Sequence, residues 1–174
     1  LRRVERVWTS DSNDALERQT IQRGASMVLP LEFLGSHVGP TPSHTTRRRH
    51  AMSFRGATAL FGHFGVEADI TSLDDRERSD LARVIEVYKE FRDLLHTGDV
   101  VRLVPNAPSF ASAVFAHGVV SQDRSEAIVC IAQLSTESNA VPDPLRLAHL
   151  RAESEYEVRF VPLSAGQMSP DRLG

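Results

Sequence analysis

Before Gly98, short apolar runs alternate with stretches of helical spacing. Arg6 to Ser10 reads as a short strand. Ser12, Asn13 and Asp14 follow, all residues that start helices well. If Asp14 is the cap, Glu17 three residues on completes a capping box. Leu16, Ile21, Ala25 and Val28 suggest the buried face of this first helix, with imperfect spacing. Phe33 to Val38 reads as a second strand, closed by a loop rich in Gly and Pro. A second helix is expected from about His50, with Met52, Phe54, Ala57, Leu60 and Phe61 as its apolar positions and Gly62 and Gly65 marking its end. Phe64 to Ile70 reads as a third strand. The spacing of Leu81, Val84, Ile85, Tyr88, Phe91 and Leu95 predicts a long helix over 75–97. Asp74 can cap it with Glu77 as box partner. Asp75 and Glu77 lie where the helix dipole favours anions, and Gly98 suits a left-handed position after the last turn.

This alternation of strand and helix argues for parallel strands with crossover helices. Half of a doubly wound sheet and part of an eight-stranded barrel both fit; three units cannot close a barrel. After Gly98 the pattern changes to short β-rich runs broken by Pro, Ser, Asn and Asp. Val100 to Val104, Phe110 to Val120, Ala127 to Leu134, Leu145 to Leu147 and Tyr156 to Val161 are the candidate strands, with a polar turn at "SQDRSE". A small antiparallel β-sandwich is the expectation. The expected domains are 1–98 and 99–174, and the polar end from Ser164 onward is expected to fray.

Composition narrows the class. A chain of 174 residues holds one domain, or a small domain and part of another. Its formal net charge of −3 steers it toward neither nucleic acid nor an anionic membrane. No apolar run is long enough to span a bilayer, and no signal-peptide pattern is visible. A single cysteine, Cys130, cannot make an intrachain disulfide, so a reducing, cytoplasmic compartment is expected. There is no internal repeat.

By position alone, Asp11 is a candidate for chemistry. It follows an apolar strand and precedes a helix, and ligand sites of parallel α/β folds gather at the C-terminal ends of strands. A cap or turn aspartate is the competing reading. His37 and His44 flank the Gly/Pro loop and could face one site; each alone is more often a loop histidine. Trp8 could stack on a sugar face or simply pack a wall. No histidine pairs with a Cys, His or carboxylate at metal-ligand spacing. The run "TTRRRH" (Thr45 to His50) lacks interleaved aromatics and reads as a solvated loop. There is no phosphate-binding glycine fingerprint and no Gly-x-Ser-x-Gly elbow. Cys130, inside an apolar run, reads as core.

One longer stretch is more specific. "VWTSDSNDALERQTIQRGAS" resembles the acid/base block of the glycoside hydrolase family 36 α-galactosidases, matching at Trp8, Thr9, Ser10, Asp11, Asp14, Ala15, Glu17, Arg18, Ile21, Gln22 and Gly24. "LGSHVGPTPSH" is similar to the family's Gly-x-His-Val loop. "RGATALFGHFGVEADI" matches at Arg55, Gly56, Phe64, Gly65, Glu67 and Asp69. The long helix and "GDVVRL" look like the family's last barrel helix and its exit. The likeness covers about the first 105 residues; the β-rich tail is compatible but has no sharp motif.

The resemblance implies a fold and a chemistry. The fold would be about three C-terminal βα units of a TIM (β/α)8 barrel, followed by the β-sandwich. Asp11 would be the general acid/base, acting on terminal α-galactosyl groups of melibiose- or raffinose-like sugars. Asp14 keeps its capping role. No metal or organic cofactor is implied, and homo-oligomers are common in the family. His63 and Val66 stand where many members have Asn and Tyr, which leaves fine specificity open. The family's nucleophile follows a Lys-Trp pair; here the only Trp is Trp8 and the only Lys is Lys89. The chain, which starts at Leu1 without Met, is therefore read as a C-terminal part of a longer enzyme and is expected to be inactive alone. A carbohydrate-binding or interaction remnant, and a related glycosidase or transglycosidase of other specificity, are the alternatives.

Overall fold

The computed structural model describes residues 5–103, 113–136, 144–165 and 167. It divides into two compact units, one built on Leu1–Arg92 with Glu157–Gly174 and the other on Asp93–Tyr156.

The first unit is parallel α/β. Its elements are α1 (Ala15–Ala25), β1 (Gly35–Val38), α2 (Met52–Leu60) and β2 (His63–Val66), followed by α3 (Asp75–Thr97), which runs past the division at Arg92. Single 3-10 turns occupy Leu31–Phe33 and Ile70–Ser72. β1 and β2 pair in parallel, Gly35 opposite His63 through Val38 opposite Val66. On the other side of β1 the segment around Val7 makes one parallel bridge, to Leu34, with Val7 N–H donating to Phe33 O (2.7 Å) and Gly35 N–H to Val7 O (3.0 Å). The expected first strand, Arg6 to Ser10, is thus reduced to a bridge. The third ends at Val66, because Asp69 accepts from Thr71 N and Oγ1 and turns the chain into the 3-10 turn instead.

The helices begin where acidic caps place them. Asp14 Oδ1 accepts from Leu16 N (2.9 Å) and Glu17 N (3.1 Å), and Asp74 Oδ1 accepts from Glu77 N (2.8 Å). In both helices the glutamate expected to close a capping box is held elsewhere. Glu17 Oε2 accepts from Ser12 Oγ (2.7 Å), and Glu77 Oε1 accepts from Arg55 Nη2 (2.7 Å). The expected buried face of α1 is corrected. The helix buries Ala15, Arg18 and Gln19, while Val28 lies beyond its end and is 80% exposed. Its inward positions are polar because they make hydrogen bonds, Gln19 Nε2 to Thr58 Oγ1 (2.8 Å) in α2 among them. On α3, Leu81, Val84 and Leu95 are buried as the periodicity requires, and so are Val87 and Leu94. The residues of the end segment belong to this unit. Ala165 N–H donates to Asp80 Oδ1 (3.1 Å), Arg83 Nε donates to Pro162 O (3.2 Å), and Leu163 is buried. The described part of the expected fraying end, Ser164, Ala165 and Gln167, is thus tied by hydrogen bonds; residues 166 and 168–174 lie outside the described residues.

The second unit is an antiparallel sheet in the order β3 (Asp99–Leu103), β4 (Val114–Val120), β5 (Ala127–Gln133). Its core gathers Val101, Leu103, Ala116 and Val120, with Val129, Leu145, Ala148 and Leu150 packed on them. The polar turn falls where expected, with Asp123 accepting from Ser121 Oγ, Ser125 Oγ and Ser125 N. Two expected strands are not found: 145–147 and 156–161 join no ladder among the described residues. Leu145 packs on the core without strand pairing. Val158 is 78% exposed, and Tyr156 Oη is drawn away to donate to Arg124 O (2.6 Å). Part of the expected second strand, 110–112, lies outside the described residues. Gly98 does not take the left-handed conformation expected of it, since no described glycine has positive φ. Its need is spatial: a Cβ there would lie 2.5 Å from Val119 Cγ1 and 2.6 Å from Val120 O.

Candidate functional site

The two faces of β1 have different tasks. Leu34, Ser36 and Val38 are buried, and Ser36 Oγ donates to Gln22 Oε1 (3.1 Å) and Thr58 O (3.4 Å), so this face meets the helices. The alternation of a strand turns His37 to the opposite face. There its ring stacks on Trp8, with centroids 4.5 Å apart and planes at 27°. His37 Nδ1 lies 3.6 Å from Glu67 Oε2, one residue past the end of β2. The strand opposite must yield room for this ring: a Cβ at Gly65 would lie 2.6 Å from His37 Cδ2. The structure therefore brings together Trp8 and His37, two residues singled out in the sequence, and adds Glu67.

Asp11 is exposed, on the short connection between the Val7 bridge and α1, at the C-terminal end of the parallel segments. The backbone around it is tied down. Arg18 Nη1 donates to Ser10 O (2.9 Å) and Ser12 O (3.4 Å), one carbonyl on each side of Asp11, and Nη2 donates to Gly35 O (3.1 Å). Ser12 N–H donates to Ser10 Oγ (3.1 Å). The Arg18 guanidinium carbon sits 4.3 Å from the Trp8 ring centroid, in cation–π range. Burial lowers the arginine's pKa, and the negative charge of Glu67 works against that.

Asp14, three residues from Asp11, is fully buried. Burial opposes its charged form. Hydrogen bonds from the Thr46 hydroxyl and from Glu17 and Leu16 N–H, with the nearby His50 (3.4 Å), outweigh this and hold its pKa below the ordinary aspartate value. Arg48 Nη1 reaches Asp14 Oδ2 (3.4 Å) and Glu17 Oε1 (3.5 Å). Asn13 joins the same loop, its amide meeting His44 Nδ1 (2.5 Å) and its Oδ1 accepting from Ser43 Oγ (2.8 Å). Thr46, Arg48 and His50 of the basic run thus reach the start of α1, while Arg47, Arg48 and Arg49 stay exposed as expected of a solvated loop. His44 serves this contact while His37 faces the sheet, so the two histidines do not share partners.

Arg18 and Arg55 match the family's motifs in the sequence, but no role was assigned to either there. Both arginines are buried, 2% and 3% exposed, and both end on strand-terminal carbonyls, Arg55 through Nη1 to Gly39 O (2.9 Å). For Arg55 a signal was present: it stands among the mostly apolar buried positions of α2, where a charge must have partners, whereas Arg18 lies on a polar inner face beside Gln19. Cys130 is half-buried in β5, and burial pushes its thiol up to about 11. Among the described residues no three His, Cys, Asp or Glu side chains gather as a metal site would need.

Comparison with known proteins bears on this arrangement. Residues 1–98 match the Melibiase family, and residues 114–173 match the glycosyl hydrolase family 36 C-terminal domain. An α-galactosidase of Escherichia coli is 44% identical over 161 residues, 92% of this chain and 22% of the relative. The α-galactosidase AgaA of Geobacillus stearothermophilus is 36% identical over 164 residues, 94% of this chain and 22% of its own length. A crystal structure of AgaA superposes with a TM-score of 0.77, covering 84% of this chain and 20% of that one. Variants of AgaA have been crystallised in complex with raffinose and with stachyose. These relatives are named as α-galactosidases, a class of glycoside hydrolases. The chain belongs to glycosyl hydrolase family 36, and it spans about a fifth of the length of these relatives.

Proposed function

We propose that this chain forms part of a retaining α-galactosidase and supplies its general acid/base, Asp11. The observation that carries the reading is the placement of Asp11. It lies in the family-matching block, exposed, at the C-terminal end of the parallel segments, while the neighbouring Asp14 is buried and committed to capping. On this reading residues 1–98 are the last βα units of a (β/α)8 barrel, residues 99–174 a C-terminal β domain, and the Trp8–His37–Glu67 face looks into the barrel. A cytoplasmic location belongs to the same reading, since the one cysteine of these residues, Cys130, forms no disulfide among them.

A retaining glycosidase needs two carboxyl groups roughly 5 Å apart, one attacking the anomeric carbon and one protonating the leaving oxygen before activating water. Asp11 takes the second role. The nucleophile belongs to a part of the enzyme these residues do not include, since no Lys-Trp-Asp occurs here. The substrates are oligosaccharides with a terminal α-galactosyl group, a class to which raffinose and stachyose belong. The half-exposed Trp8 face is suited to the apolar side of a sugar ring, with Glu67 as an acceptor for hydroxyls.

In the full-length enzyme, Asp11→Ala is expected to lower kcat/KM on raffinose by about 10²- to 10⁴-fold. The loss on activated aryl α-galactosides, whose leaving groups need little protonation, is expected to be much smaller. Unchanged raffinose turnover would overturn the assignment. The 174-residue chain alone is expected to release no galactose, and measurable release would show that the nucleophile is here after all.

A further inference from the structure

We infer that Arg18 is a positioning residue for Asp11: its guanidinium grips the backbone on both sides of the acid and fastens it to the neighbouring strand. The inference rests on the reading of Asp11 as the acid/base. An exposed aspartate on a short connection has a mobile carboxyl unless its backbone is held, and proton transfer is lost with displacements of about 1 Å. Asp11 has such a hold. The carbonyls of Ser10 and Ser12 accept from one nitrogen of Arg18, at 2.9 and 3.4 Å, and the carbonyl of Gly35 in β1 accepts from the other at 3.1 Å. Ser12 completes the frame, donating through its N–H to Ser10 Oγ and through its hydroxyl to Glu17.

The residue type supports this role. Arg18 is 2% exposed on the inward side of α1, where a leucine or methionine would pack without a desolvation cost. A planar fork can reach carbonyls in two segments at once; an ammonium offers one point of charge. The guanidinium bonds go to backbone oxygens, so the arginine fixes the acid without engaging its carboxyl. Trp8, lying against the guanidinium, fixes the fork in turn.

The test uses the full-length enzyme with Arg18→Lys and Arg18→Met, each also combined with Asp11→Ala. Raffinose and an activated aryl α-galactoside are the two substrates, and the thermal midpoint of each variant is recorded. Both variants are expected to lose about 100-fold in kcat on raffinose, with KM nearly unchanged and much less lost on the aryl substrate. In the Asp11→Ala background neither is expected to cost anything more on raffinose. Equal losses on the two substrates, additive losses, or no loss would overturn the inference. So would failure of even the lysine variant to fold, which would make Arg18 a residue of the fold alone. Asp11→Ala by itself separates the two readings. If it shows no difference between substrates, the acid/base assignment fails; if it does and the Arg18 variants do not, only the positioning role fails.

Discussion

The parallel region and the antiparallel sheet are held by different materials. Every buried polar or charged residue among those described, from Asn13 to Asp80, lies in the parallel region. There, Arg18, Gln19, Ser36, Arg55 and Thr58 link helices and strand ends through directed hydrogen bonds. In the sheet β3–β5 the buried side chains are Val101, Leu103, Phe115, Ala116, Val119, Val120, Ile128 and Ala132. The backbone ladder meets the polar demand, and aliphatic packing does the rest. Buried polar groups stabilise less per residue than apolar ones of the same volume, but they fix positions. The region that carries the candidate site is the one that uses them.

The largest effect that would test this contrast lies in the sheet. Leu103→Ala should lower the local stability of β3–β5 by about 3 kcal/mol. Hydrogen exchange of peptides from that sheet reads this directly, and a change well under 1 kcal/mol would break the picture of an aliphatic core. Next comes Asp14→Ala, which removes a cap and the buried acceptor of Thr46 and Arg48. It should cost the parallel region about 2 kcal/mol, with α1 and the 43–50 loop losing protection together. Loss at α1 alone would mean the loop is not docked through Asp14.

The same residue sets an acid limit. Its folded pKa lies below the unfolded value of about 3.9. Its contribution is therefore complete above that value and is lost as pH falls through the depressed folded one. Asp123, in the turn of the other unit, is drawn to about 2 by hydrogen bonds from Ser125 and Ser121. Its contribution to that turn is complete above about pH 4 and is lost progressively as pH falls from 4 toward 2. An acid scan by hydrogen exchange in which the β4–β5 turn loses protection well above about pH 4, or keeps all of it below about pH 2, would contradict this. The smallest effect on stability belongs to Asp11→Ala. The residue is exposed and should change stability by no more than about 0.5 kcal/mol, however much activity it removes. A large destabilisation would return Asp11 to the role of a structural turn residue.

Much of this contrast was legible in the residues. The helix over 75–97 was readable because six apolar positions recur at helical spacing over many turns, and its cap at Asp74 and that of α1 at Asp14 depend only on the next few residues. The inner face of α1 was misread for a local reason: Arg18 and Gln19 are polar, and a periodicity search assigns polar residues to the outside. Segments 145–147 and 156–161 were misread because an apolar run looks the same whether or not a partner strand is available.

The sequence by itself determined the three helices, the places of β1 to β5 along the chain, the acidic N-caps, the change from parallel to antiparallel character near Gly98, and the motif around Asp11. All of these depend on neighbours a few residues apart. Only the tertiary structure decided that Trp8 meets His37, that Arg18 spans the 17 residues to Gly35, and that Arg48 crosses 34 residues to Asp14. Such contacts follow from how βα units stack, which no local spacing encodes. They determine whether an aspartate in a loop is free to wander or is held in place for a proton.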